Sequence, residues 1–101
     1  MINLKNIINL ANPDMLDYVI TIQGNPVWDY KIGALNTICL ISNIQDISED
    51  EYVTLRELRK YIVSSEIPFD LVKLQTEETK EDLISYKWVD VNMELSLSTS
   101  K

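Results

Sequence analysis

Ten residues near the end of the chain alternate without a break: Val89, Val91, Met93, Leu95 and Leu97 are apolar, and Asp90, Asn92, Glu94, Ser96 and Ser98 are polar. A period of two places successive side chains on opposite faces of a strand, so this run predicts a long strand with one wet face. Strands of that kind belong to mainly antiparallel sheets or to sheet edges. No proline or lysine interrupts Val89 to Ser100, so a free edge along residues 89–97 is also a route to pairing between copies of the chain, as a homo-oligomer. The sheet needs further strands and a core from a chain of 101 residues, which is enough for one domain, 1–101. With 46% hydrophobic residues and only three Pro and two Gly, the composition is that of a folded chain.

The earlier segments supply the remaining elements. Leu4, Ile7, Ile8 and Ala11 recur at helical spacing before the stop at Asn12-Pro13-Asp14, which predicts a helix over 3–11. Asp17 to Gln23 is rich in β-branched residues and runs into Gly24-Asn25-Pro26, a strand followed by a turn. Residues 26–45 admit two readings. Alternation around Trp28, Tyr30 and Ile32 and the run Ile38-Cys39-Leu40-Ile41 favour two strands, whereas Pro26 with Trp28, Ile32 and Leu35 on one face fits a helix in a mostly helical alternative. Ser48 with Glu51 three residues later is a capping-box pattern, and Leu55, Leu58 and Ile62 form the stripe of the helix it opens, ending near Ser64. A further helix is expected from Thr76, with Leu83 and Ile84 buried. The expected fold is therefore a small single α+β domain of order α-β-β-β-α-α-β. It has a mainly antiparallel sheet of about four strands, two or three helices, and a short polar tail at 98–101.

Charge narrows the partners. A net charge of −7, of which residues 1–45 contribute only −1, repels a phosphate backbone, so direct nucleic-acid binding is not expected. No leader pattern opens the chain, and the uncharged stretch Ile32 to Gln45 is too short and polar to span a bilayer. No membrane role follows, and a cytoplasmic location is the default. The sole cysteine, Cys39, cannot form an internal disulfide and reads as a small buried hydrophobe. Scarce Ala and Gly against abundant Ile and Asn point to an AT-rich genome, such as that of a low-GC bacterium or its mobile elements.

Catalytic machinery is excluded on composition. There is no histidine, which removes Ser-His-Asp and Cys-His arrangements and imidazole metal ligands; one cysteine builds no zinc site. Two isolated glycines form no phosphate-cradling loop, and the acidic residues around Asp46 lack the spacing of a calcium loop. No cofactor or metal is expected, and the chain is read as a non-enzyme.

What remains is the exterior. Two acidic clusters, Asp46, Glu49, Asp50 and Glu51, then Glu77, Glu78, Glu81 and Asp82, are candidate partner-binding residues that imitate phosphates toward a basic protein surface. Both also fall at expected helix starts, where carboxylates are stabilised by the helix dipole. Arg56, Arg59 and Lys60 form a basic trio, and Trp28, Tyr30, Tyr86 and Trp88 read first as core. The expected function is a small acidic accessory protein, an inhibitor, immunity or anti-defence protein of a bacterium or phage, that occludes a basic partner. A self-associating structural subunit of a phage tail or capsid is the alternative.

Overall fold

The computed structural model of the chain describes residues 2–43 and 48–100. Among these, the first helix, α1, is Leu4–Leu10, and four strands follow: β1 Val19–Ile22, β2 Asn25–Pro26, β3 Asp29–Ile32 and β4 Thr37–Ile41. The second helix, α2, is Leu55–Ser64, and the chain closes with β5 Lys73–Thr76, β6 Ser85–Val89 and β7 Glu94–Ser98. The fold is α+β, and of residues 26–45 the described part, 26–43, contributes strands rather than a helix. None of the helices formed by the described residues is long and apolar enough to cross a membrane.

The strands form two sheets rather than one, in the orders β2-β1-β7-β6 and β3-β4-β5. Each holds one parallel pair. Ile20 lies beside Leu95 and Ile22 beside Leu97 in β1 and β7, while Ile38 lies beside Leu74 in β4 and β5. Parallel neighbours need a long crossover, and α2 lies within the one that joins β4 to β5. Paired residues share a sheet face, so these six aliphatic side chains enter one cluster with Leu4 and Ile7 of α1 and Leu55, Leu58 and Ile62 of α2.

The two sheets share their corners. Residues 25–32 pair first with β1, through Thr21 and Pro26, and then with β4, where the Trp28 N–H donates to the Ile41 carbonyl at 2.9 Å. Residues 82–89 do the same at the opposite side. The Leu83 N–H donates to Leu74 of β5 at 2.8 Å, and the next N–H, of Ile84, donates to Ser98 at 2.9 Å. The backbone hydrogen bonding therefore runs in a closed circuit around the core.

One junction ties this circuit to α2. The Val27 N–H donates to the Ile20 carbonyl at 2.8 Å, the Ile20 N–H to Val53 at 3.0 Å, and the Val53 N–H back to Val27 at 2.8 Å. All three residues are buried. This explains why α2 begins later than the capping box at Ser48 and Glu51 suggests. With Val53 held extended by two strands, residues 49–51 can make only a single 3-10 turn, and Ser48 makes no side-chain cap bond. Thr54 is the cap instead, its hydroxyl accepting the Glu57 N–H at 3.2 Å, in the same S/T-x-x-E pattern six residues on.

Two other expectations change in detail. The helix from Thr76 is replaced by a tight turn after β5, in which the Thr76 hydroxyl accepts the Thr79 N–H and Lys80 is left-handed at φ 59°. A hydrogen bond from its N–H to Leu74 then draws Leu83 into the core ahead of β6. The alternating run is not one strand either. Asp90–Asn92 form a 3-10 turn and Met93 is left-handed, so β6 and β7 make a hairpin whose turn residues happen to alternate as well. β7 sits between β1 and β6 with both edges used, and the outer strands of that sheet are β2 and β6. On β3, an outer strand of the other sheet, the Asp29 carboxylate accepts the Tyr30 N–H at 2.8 Å and so caps part of that edge. The polar end of the chain is held, with the Thr99 hydroxyl donating to Gln23 at 3.0 Å.

The assignment of the cap is directly testable by urea denaturation. Thr54→Ala is expected to lower stability by about 1 kcal/mol and Ser48→Ala to leave it within experimental error. Leu58→Ala, which empties a fully buried site, is expected to cost about 2–5 kcal/mol.

Candidate functional site

Because both parallel pairs run the same way within their sheets, each brings two strand ends together, and the four ends meet. Ile22 and Gln23 close β1, Ser42 and Asn43 follow β4, Thr76 ends β5 and Thr99 follows β7. Together with Asn25 and the turn after β5 they line an open cleft of about 320 Å³. Ligands in sheet proteins commonly sit beyond the carboxyl ends of parallel strands, where side chains converge without belonging to the core.

Nine of the ten lining residues are polar, and two, Glu78 and Glu81, are charged. Glu78 is also a structural strap. Its Oε1 accepts the N–H groups of Ser42 at 2.9 Å and Asn43 at 2.7 Å, which binds the turn after β5 to the end of β4. Asn43 is fixed from the other side, since the Trp28 indole donates to both its backbone and side-chain oxygens at 3.1 and 3.0 Å. Thr76 and Thr79 share a hydroxyl hydrogen bond of 2.5 Å at the floor. No lysine or arginine lines the cleft among the described residues.

The candidate acids fare differently. Asp46 lies outside the described residues. Glu49, Asp50 and Glu51 form the exposed 3-10 turn, not the start of a helix, and take part in none of the ion pairs among the described residues. Glu77 is neutralised by Lys31 at 2.7 Å and Lys80 at 2.6 Å, and Asp82 accepts the Gln75 amide at 2.9 Å. Only Glu78 and Glu81 reach the cleft. The neutral members, Gln23, Asn25, Ser42, Asn43, Thr79 and Thr99, carried no signal in the sequence. They come from separate turns, and only the strand order brings them together.

No protein-family model, curated protein or solved structure matches the chain significantly. The site is therefore described by its own chemistry.

Outside the cleft, several titratable groups are held by partners or by burial. The hydrogen bonds from Lys31, then Lys80, pull the Glu77 carboxyl down to about 2, and burial pushes the Cys39 thiol up. A raised thiol pKa keeps Cys39 protonated and unreactive in its place at 4% exposure. Arg56 is drawn to Asp17 at 2.9 Å, leaving Arg59 and Lys60 of the basic trio outside the ion pairs among the described residues.

The Glu77 bridge has a defined pH signature. Its folded pKa of about 2 lies below the ordinary 4.5, so its stabilising contribution is complete above pH 4.5 and is lost as pH falls toward 2. The difference in melting temperature between wild type and Glu77→Gln is expected to be largest at neutral pH, to shrink below pH 4.5, and to diminish in high salt. Thermal melts from pH 2 to pH 7 in low and high salt check it.

Proposed function

We propose that the chain is a non-enzymatic protein-binding accessory protein, an inhibitor, immunity or anti-defence protein of a bacterium or phage, that occludes a basic surface on a partner. It acts in the host cytoplasm or, if phage-encoded, in the virion. The observation that carries this reading is the turn Glu49–Glu51, three consecutive exposed carboxylates outside every ion pair among the described residues. Internal stability gives no account of three adjacent like charges, which repel one another at the surface. A cationic partner relieves that repulsion. The cleft with Glu78 and Glu81 adds a second acidic feature, and the net charge of −7 steers a basic partner toward the molecule over distances of a Debye length. Occlusion of this kind needs no reactive group, only a complementary field and shape.

Charge reversal of the turn separates this function from a purely structural role. Glu49→Lys, Asp50→Lys and Glu51→Lys together are expected to leave the melting temperature nearly unchanged. They are expected to slow association with the partner captured from a lysate of the source cells by about tenfold or more, and to flatten its salt dependence. Unchanged association kinetics and an unchanged salt slope in surface plasmon resonance would remove the turn from the interface and the reading with it.

A further inference from the structure

The exposed face of α2 carries charge that its own fold does not use. Arg56, Arg59, Lys60 and Val63 follow one another at helical spacing, so they share one side of the helix, turned away from the buried Leu55, Leu58 and Ile62. With Ser64 they line a shallow hollow of about 330 Å³ that no acidic side chain lines among the described residues. Val63 is 58% exposed there. Arg56 is held by Asp17, but Arg59 and Lys60 stand outside the ion pairs among the described residues. Glu57, the one acid on the helix, lies beside Tyr30 of β3. Like charges three and four residues apart repel, and no base stands in the last turn of α2, where the helix dipole would favour it.

We infer that this face is a self-association surface, on which a second copy of the chain seats its acidic turn Glu49–Glu51. Charge complementarity selects that occupant. The turn is exposed, presents three carboxylates, and also stands outside the ion pairs among the described residues. Each chain thus holds an unused surplus of either sign within one short segment, 49–63. Copies related by a two-fold axis make the contact twice, since the turn of each meets the helix face of the other. The ten residues of α2 span about 15 Å, so the two contacts form one continuous interface rather than two distant ones. Arg59 offers carboxylates a planar fork, and the aliphatic stems of Arg59 and Lys60 with Val63 supply an apolar floor. The net charge of −7 opposes approach. At physiological salt that repulsion is screened beyond about 8 Å, so the complementary groups at contact decide.

Sedimentation velocity on the full chain at physiological salt is expected to show a monomer–dimer equilibrium with a Kd on the order of 10–100 µM. Arg59→Glu with Lys60→Glu is expected to weaken it about tenfold or more. Glu49→Lys, Asp50→Lys and Glu51→Lys together are expected to do the same, although they move the net charge toward zero and general repulsion alone would predict tighter association. Both sets lie at exposed positions and are expected to leave the melting temperature nearly unchanged. Mixed in equal amounts, the two variants are expected to form a heterodimer at least as tight as the wild-type dimer, because each then offers the sign that the other lacks. A chain that stays monomeric up to about 1 mM, a dimer indifferent to both sets, or a mixture that fails to associate overturns the inference. Partner binding, measured well below the dimer Kd, separates this contact from the proposed function. A chain that never dimerises yet loses its partner on reversal of the turn keeps the proposed function and sinks the self-association. A chain that dimerises as described yet holds its partner with the turn reversed supports the self-association and removes the proposed function.

Discussion

Three buried peptide groups, those of Ile20, Val27 and Val53, hydrogen-bond to one another in a triangle, and most of the architecture is referred to it. Each belongs to a different part of the chain: the first strand, the corner where the chain passes between sheets, and the lead-in to α2. Unpaired, these groups would impose the cost of burying polar backbone away from water. Paired, they hold the N-terminus of α2 against β1, where Leu55 N–H also reaches Tyr18 at 3.1 Å, and so set where the Leu55, Leu58 and Ile62 stripe meets both sheets. The short acidic turn ahead of α2 is a by-product. With Val53 committed to strands, Glu49–Glu51 cannot join the helix and are left in solvent.

The candidate site follows from the same topology. Had β7 paired antiparallel to β1, or β5 to β4, the strand ends would have been distributed over both ends of the molecule. Parallel pairing in each sheet instead gathers Gln23, Ser42, Thr76 and Thr99 at one place. Glu78 does double service there. It closes the turn onto β4 with one oxygen and leaves the other for solvent or a ligand. Neighbouring Glu77 faces away into its two lysines, so adjacent acids in one sequence cluster have separate physical roles.

Elements governed by local periodicity were legible in the sequence, and those governed by tertiary pairing were not. The stripes of α1 and α2, the strand at Val19–Ile22 and the pair of strands within 26–45 are all written in the spacing of apolar residues. The capping pattern read in the sequence, Ser48 with Glu51, gives way to Thr54 with Glu57 because of the hydrogen bonds of Val53, which local pattern does not contain. The run after Thr76 carries helix-forming Glu and Lys. Its turn is nevertheless enforced by the Thr76 hydroxyl and by Leu83 pairing with Leu74, a contact between residues that propensity does not see. Asp90 and Asn92 are good turn formers that happen to fall on the polar beat of an alternating run, which disguised a hairpin as one strand. Of the site, the acids were visible as a cluster, but their division into strap, ion pair and cleft wall depends on partners 35 or more residues away.

The shared corners have a consequence for how the molecule comes apart. Residues 25–32 and 82–89 each stitch one sheet to the other, so peeling either run away opens two seams at once. There is no border along which one sheet could melt while its neighbour stays assembled. Slow-exchanging amides should accordingly be spread across both sheets and released together, and the cleft walls should keep their spacing until the whole body loosens.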